Sequence, residues 1–327
     1  MTTTSDVTPE QIFRLAQGFM ASKHLFAANE LGLFEALGEG PATLAGLAAR
    51  TGLPPRTARI SADAMVALGL LERHGDQYAN TPIAATFLSG ATPADFRPLL
   101  RFWDKVSYAT WTDLAGALGR GKPAHEVFEL DDELVPVVSA GIEAATAGAC
   151  HALPHVAGLP AGSRVLDIGG GTGSWSVALT EADPSLTATV FELPEVAAVA
   201  GERLNSPRIT VHTGDLLTDE LPAGHNVFLL ANVVHYFTPG TNQAILRKIR
   251  AAAEPGARLL VADFWTDPTH TQPLAAALMA GEFAVHVNDG DVYSVEEGAA
   301  WLGECGWSFG GHLPLAGPIS LVTAEAV

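Results

Sequence analysis

The chain of 327 residues has two cysteines, Cys150 and Cys305. They are too far apart for metal-ligand spacing, and two thiols cannot make a disulfide-dense scaffold; a reducing cytoplasm is expected. No Cys/His cluster suggests zinc, so no metal is expected. Basic residues are scarce: 18 Lys and Arg stand against 36 Asp and Glu, a formal net charge of −18. That argues against bulk nucleic acid and anionic membrane surfaces as partners. No uninterrupted apolar run is long enough to span a bilayer, and Met1-Thr-Thr-Thr-Ser-Asp6 lacks a basic-then-apolar leader. Charged residues make up 17% and hydrophobic residues 48%, which excludes a disordered chain and leaves room for two domains.

Glycine is plentiful and concentrated. Val165-Leu-Asp-Ile-Gly-Gly-Gly-Thr-Gly173 ends an apolar run at Asp167 and breaks into glycines before an apolar helix start at Trp175. The pattern predicts a buried parallel strand, a tight turn and a helix. Such a turn lies at the carboxyl end of a central strand, where open α/β sheets bind ligands. A dinucleotide site needs G-x-G-x-x-G for a pyrophosphate. Here Gly169, Gly171 and Gly173 follow a carboxylate that would repel pyrophosphate and suit an ammonium group. S-adenosylmethionine carries an ammonium and a sulfonium and no phosphate, so it is the expected cofactor.

Thr187–Glu192 reads as a second strand ending in a carboxylate, roughly 20 residues on, where a ribose diol is received. Ile209–Asp215 reads as a third, and Gly214-Asp215-Leu216 suits an adenine; a turn or cap role for Asp215 is the competing reading. His225–Ala231 is a fourth strand and Ala257–Asp263 a fifth. Between them Asn242-Gln-Ala-Ile-Leu-Arg-Lys-Ile-Arg reads as an amphipathic helix ending at Pro255-Gly256.

Upstream, residues 8–38 read as one or two helices with an apolar face through Ile12, Leu15, Phe19, Leu25, Ala28, Leu31 and Phe34. Two short helices follow, over Thr43–Arg50 and from Pro54-Pro55 to about Leu68. Strands flank His74-Gly75-Asp76 as a hairpin. This is a winged-helix pattern. The second helix offers Arg56 and Arg59 but also Asp63, Ile60 and Met65, too little positive charge for DNA; a packing module is favoured over a DNA-binding regulator. Residues 96–150 read as mostly helical. Of their aromatics, Phe96, Tyr108 and Phe128 are expected in the core, while Phe102, Trp103 and Trp111 are candidates to line an apolar substrate pocket. The expected domains are 1–100, a 101–158 helical segment, and 159–327.

Residues 165–173, 192, 214–216, 231–237 and 255–263 resemble the class I S-adenosylmethionine-dependent methyltransferases, and more narrowly the small-molecule O-methyltransferases of the caffeate/hydroxyindole type. The resemblance implies a doubly wound Rossmann-like α/β sheet behind an N-terminal helical, winged-helix dimerisation domain. It implies a homodimer acting on a phenolic hydroxyl of a small aromatic natural product, with S-adenosylhomocysteine as co-product. It places Asp167, Gly169, Gly171, Gly173, Glu192, Leu193, Gly214, Asp215, Leu216 and Asn232 at the cofactor. Tyr236, Met279 and His286 join the three aromatics at the substrate. His286 would take a substrate carboxylate or carbonyl, unless it is a helix-surface histidine.

His235, in Ala231-Asn-Val-Val-His-Tyr-Phe237, matches the family's catalytic histidine, with Asp263 as its orienting carboxylate. A phenol has a pKa near ~10, so a base at the crevice mouth helps. Two departures stand out. The usual His-Asp-Trp is His-Tyr-Phe. Val292 stands where the family carries a second carboxylate, in Gly290-Asp-Val-Tyr-Ser294, so that orienter is missing or replaced, Asp291 being one substitute. Carbon, nitrogen or sulfur methylation, and a non-methylating cyclase or decarboxylase, therefore stay open as alternatives.

Overall fold

A computed structural model describes residues 8–125 and 133–327, so Phe128 and the Met1–Asp6 leader reading lie outside the described residues. The chain divides into two compact units, 1–109 with 131–145, and 110–130 with 146–327. The stretch 101–158 is thus shared between the units. Its long helix, Val135–Ala157, carries residues of both.

In the first unit the N-terminal stretch forms three helices, Glu10–Ala16, Gly18–Glu30 and Leu33–Gly38. The sequence periodicity predicts one or two, because it runs through the breaks. Gly32 makes the second break by adopting φ +68°, open to glycine at little cost. Helix Leu44–Thr51 is capped by Thr43, whose hydroxyl accepts the N–H of Gly46 at 3.2 Å. Helix Pro55–Ala67 begins on proline. The hairpin pairs Leu71–His74 with Gln77–Asn80 in a register that leaves Gly75-Asp76 as its turn, and Ala42–Thr43 adds a third strand. Phe34, Leu47, Met65 and Tyr78 are buried in its core. Ile12, Leu15 and Phe19 are exposed.

The elements of the second unit are numbered from its sheet: β1 Arg164–Ile168, α1 Ser174–Ala182, β2 Thr187–Glu192, α2 Pro194–Arg203, β3 Ile209–Thr213, β4 Val227–Ala231, α3 Pro239–Ala252, β5 Arg258–Phe264, α4 Leu274–His286, α5 Val295–Glu304, β6 Trp307–Ala316 and β7 Ile319–Ala326. The strand order is β3-β2-β1-β4-β5-β7-β6. The first five are parallel; β7 runs antiparallel to β5 and to β6.

Every residue of β4 is buried, because both sheet faces are covered. The faces alternate along the strands. Leu166, Ile168, Phe228 and Leu230 pack with Ile245 and Ile249 of α3 and Trp301 of α5. Val165, Val227 and Leu229 pack with Trp175 and Leu179 of α1 and with Leu153. α3 starts at Pro239, three residues before the sequence pattern shows it, because Thr238 caps it by accepting the N–H of Thr241 at 3.2 Å. The order reverses between β1 and β4. Parallel strands end on one edge, so that reversal opens a crevice beside the glycine turn.

Candidate active site

The glycine turn leaves β1 with Gly169, Gly171 and Gly173 at φ +66°, +56° and +84°. Asp167 is fully buried beneath it. A Cβ on Gly170 would lie 2.7 Å from the Asp167 carboxyl carbon, so the turn closes over the carboxylate only with glycine there. Oδ2 accepts the Ser176 hydroxyl at 2.7 Å, while Oδ1 has no partner. Burial raises the Asp167 pKa from 3.8 to about 6, against the Ser176 hydrogen bond, and the charge of Glu192 adds to the rise.

Glu192, at the end of β2, turns its carboxylate toward the same turn. Oε2 accepts the N–H of Gly171 at 2.9 Å and Oε1 that of Leu193 at 2.8 Å. Gly214 follows β3, its N–H on the Glu192 carbonyl at 2.9 Å; a Cβ there would strike the Phe191 ring at 2.5 Å. Asp215 accepts the N–H of Leu217 at 2.7 Å, a turn role of its own. Leu216 is half-buried and its carbonyl accepts Lys248 Nζ at 2.7 Å; Leu193 is exposed. Asn232, just past β4, holds φ +56°, and its Oδ1 is buried without a partner.

These residues fit S-adenosylmethionine. The two orphaned buried atoms, Asp167 Oδ1 and Asn232 Oδ1, are both acceptors, so what completes them is a donor such as an ammonium. Glu192 is held in place by the N–H groups of Gly171 and Leu193.

His235 lies in a single turn of 3-10 helix, Val234–Tyr236, after β4. It is only 4% exposed. Its Nδ1 is 2.7 Å from Asp263 Oδ1 at the end of β5. A carboxylate only accepts, so Nδ1 carries the hydrogen, and in the neutral imidazole Nε2 is the nitrogen with the lone pair. Asp263 is pinned in turn: Oδ2 accepts the N–H of Val234 at 2.9 Å and Oδ1 that of Phe264 at 2.8 Å. Asn242 of α3, buried, donates to the carbonyls of Val234 and Phe237 at 3.0 Å each and fastens the turn from behind. Tyr236 packs its ring 4.3 Å from that of His235. Burial, with the charges of Asp263 and Glu192, pushes its phenol up to about 12, so it stays protonated.

Val292 leaves no second carboxylate. It is buried in an apolar cluster with Ala276 and Phe283. The Phe283 ring instead stacks on His235, centroids 4.0 Å apart and planes 14° from parallel. Asp291 does not substitute: its carboxylate accepts the N–H of Val292 at 2.7 Å, and it reaches His235 only by donating its N–H to the His235 carbonyl at 3.1 Å. Gly290 is required at that approach, since a Cβ would stand 2.8 Å from the same carbonyl. Phe283 was not singled out from sequence; its place one turn before His286 on an apolar helix was the available signal.

His286, on α4, is buried, which corrects the helix-surface reading. Its Nε2 lies 3.2 Å from Glu282 Oε1, out of line for a hydrogen bond. Glu282, unmarked in the sequence, also accepts the indole N–H of Trp111. A substrate carboxylate brought to His286 would also meet Glu282, whereas a carbonyl would not be repelled. Met279 is half-buried beside Phe283 and Ala276. Phe102 and Trp103 belong to the first unit, where Phe102 is half-buried and Trp103 exposed. Among the described residues no group of three His, Cys, Asp or Glu could hold a metal ion, and no helix is long and apolar enough to cross a membrane.

The parallel sheet with its glycine turn, the carboxylate ending β2 and the histidine after β4 are the framework of a methyltransferase, and comparison with known proteins gives the family. Residues 115–308 match the O-methyltransferase domain and residues 13–90 the O-methyltransferase dimerisation domain. The chain belongs to the S-adenosylmethionine-dependent O-methyltransferases. It is 32% identical to the tetracenomycin polyketide synthesis 8-O-methyl transferase TcmO of Streptomyces glaucescens, over 96% of this chain and 95% of that one. It is also 32% identical to the N,N-dimethyltransferase OxyT of Streptomyces rimosus, over 93% of each. Among solved structures, human N-acetylserotonin methyltransferase in complex with S-adenosylmethionine superposes with a TM-score of 0.87 at 25% identity, covering 100% of this chain and 99% of that one.

Proposed function

We propose that the protein methylates a phenolic hydroxyl of a small aromatic natural product, with His235 as general base. The observation that carries this reading is the His235–Asp263 pair. Asp263 takes the Nδ1 hydrogen at 2.7 Å and so leaves Nε2 as the acceptor. When bound, S-adenosylmethionine supplies a methyl group on a sulfonium, which leaves as neutral S-adenosylhomocysteine. The phenol oxygen forms the new bond to the methyl carbon as the carbon–sulfur bond breaks. His235 Nε2 takes the phenolic proton, and Asp263 steadies the imidazolium. Phe283 and Tyr236 wall the ring on its sides and restrict it to one orientation.

We further assign the cofactor ammonium to Asp167 and Asn232 and the ribose to Glu192, with Leu193 and the Gly214–Leu216 segment about the adenine. The exposed apolar helices of the first unit support a homodimer built through that unit. The two free, buried cysteines fit a reducing cytoplasm, and the acidity of the chain supports an enzyme with neither a nucleic-acid nor an anionic membrane partner. A nitrogen acceptor is the second reading, favoured by the resemblance to an N,N-dimethyltransferase.

The test is product analysis with methyl-labelled cofactor and a panel of phenols and arylamines. The expected result is label in an aryl methyl ether, with one S-adenosylhomocysteine per ether. Label on nitrogen, carbon or sulfur, or conversion of an acceptor without S-adenosylhomocysteine, would overturn it.

A further inference from the structure

The geometry points to Phe283 as a positioning residue that steadies the protonated form of His235, the face of its ring serving as a partner for the positive charge. This inference rests on the general-base role proposed above and names what else holds the proton once it arrives.

An imidazole that takes a proton becomes a cation, and a buried cation needs a partner. His235 is only 4% exposed. Among the described residues one carboxylate, that of Asp263, is hydrogen-bonded to the ring, and it holds the Nδ1 edge. The rest of the ring is surrounded by aromatic side chains. Tyr236 and Phe264 are tilted from the imidazole plane by 46° and 60°, with centroids 4.3 and 5.6 Å away. Phe283 alone of the three lies nearly parallel, at 14°, with its centroid 4.0 Å away.

An aromatic ring is negative on its face and positive at its edge. Two neutral rings therefore prefer offset or edge-to-face contacts, with centroids about 4.5–7 Å apart. Phe283 is closer to His235 than that, and flatter. A cation over the face of a ring is attracted to it, the more so where water is excluded. The arrangement thus suits the imidazolium better than the neutral imidazole. An interaction that strengthens as the proton moves lowers the barrier, whereas one that is equal in both states does not. The proton leaves the phenol oxygen for Nε2 while an electron pair of that oxygen forms the bond to the methyl carbon. The charge that appears on the imidazole then lies against the Phe283 face and beside Asp263.

The fold keeps Phe283 in this place. Its side chain is buried and packs with Ala276 and Val292. A Cβ on Gly290 would stand 3.2 Å from the Phe283 Cβ and 2.8 Å from the His235 carbonyl. The one glycine therefore lets the ring and the base close on each other.

The test replaces Phe283 with 4-fluoro-, 3,5-difluoro- and 3,4,5-trifluorophenylalanine, which keep the shape of the ring and drain negative charge from its face. With a phenol that product analysis finds methylated, kcat should fall stepwise along the series, to roughly 3–30-fold below the unaltered protein at three fluorines. Acceptor KM and calorimetric S-adenosylhomocysteine affinity should change by less than about twofold, since neither involves the cation. In a His235→Ala background the series should be flat. A flat series in the chain that keeps His235, or a slope that survives His235→Ala, overturns the assignment.

Melting decides the matter without any acceptor. The trifluorinated ring should cost more thermal stability at about pH 5 than at about pH 8, by roughly 1–3 °C, because acid favours the imidazolium. Asp263, Tyr236, Glu282 and His286 are common to both proteins, so the difference between the two rings isolates the stack. An equal cost at both pH values overturns it. A flat kinetic series beside an inactive His235→Ala defeats the stack alone. Near-normal turnover by His235→Ala defeats the general-base reading, and the melting comparison then decides the stack by itself.

Discussion

Asp263 Oδ1 stands 2.7 Å from His235 Nδ1, and the same carboxylate takes the N–H groups of Val234 and Phe264. One side chain at the end of β5 therefore sets both the tautomer of the histidine and the path of the turn that carries it. The tie is economical because β4 and β5 are adjacent and in register, Ala231 opposite Ala262.

Replacing His235 with Ala should lower kcat by roughly 10²–10⁴-fold, the contribution of a positioned base. Calorimetry should find cofactor affinity nearly unchanged. Asp263→Asn should act in the same direction with smaller effect, because the ring loses the carboxylate that holds its Nδ1–H. Near-normal turnover of His235→Ala on a phenol would show that positioning alone carries the reaction.

Asp167 should make both stability and cofactor binding depend on pH. Its pKa is raised from 3.8 to about 6 in the folded chain, so the folded state keeps a proton that the unfolded chain has released. Stability of the ligand-free protein should therefore fall as pH rises through that window, by about 3 kcal/mol in all. Binding of a cation runs the other way, since it needs the ionised carboxylate. S-adenosylmethionine should bind roughly 10-fold more weakly at pH 5 than at pH 7.5. Asp167→Asn should flatten both dependences in melting and titration experiments. Glu192→Ala should weaken binding by about 1–3 kcal/mol and, by removing a charge that raises the Asp167 pKa, should move the pH dependence toward lower pH without abolishing it. Equal affinity at both pH values in the unaltered protein would remove Asp167 from the cofactor site.

Ile12, Phe13, Leu15, Phe19 and Met20 are all exposed on two consecutive helices, a run of large apolar side chains that a second chain would cover. Light scattering at low micromolar concentration should report about twice the chain mass. Ile12→Asp with Leu15→Asp should shift the population toward single chains. A fully active strict monomer would count against assembly through this face.

What could be read beforehand follows from how locally each feature is encoded. The glycine turn, the carboxylate ending β2 and the His235 turn each occupy a few consecutive residues, and parallel strands bring their carboxyl ends to one edge whatever the loops do. Asp263 was legible for the same reason. The stack of Phe283 on His235 was not, because 48 positions separate the two rings and nothing local distinguishes Phe283 from the other apolar residues of α4. Glu282 was hidden by its charge: an acidic residue on a helix reads as solvent-facing, and its partners, Trp111 far away in sequence and His286 on the same helix, show only in the folded chain. In the N-terminal stretch periodicity showed helix but not its interruption at Gly32, since a break that preserves the apolar face does not disturb the pattern.

Val292 and Phe283 together change the electrical setting of the base. With hydrocarbon and an aromatic face where the family carries a second carboxylate, one negative charge fewer lies beside the imidazole. In a site of low dielectric that charge would act strongly on any oxygen becoming anionic nearby. Its absence lessens the resistance to a phenol that approaches already partly ionised. If His235 serves as the base, holding its ring by shape with a single carboxylate should extend the acidity range of hydroxyl groups that can be brought to the methyl donor.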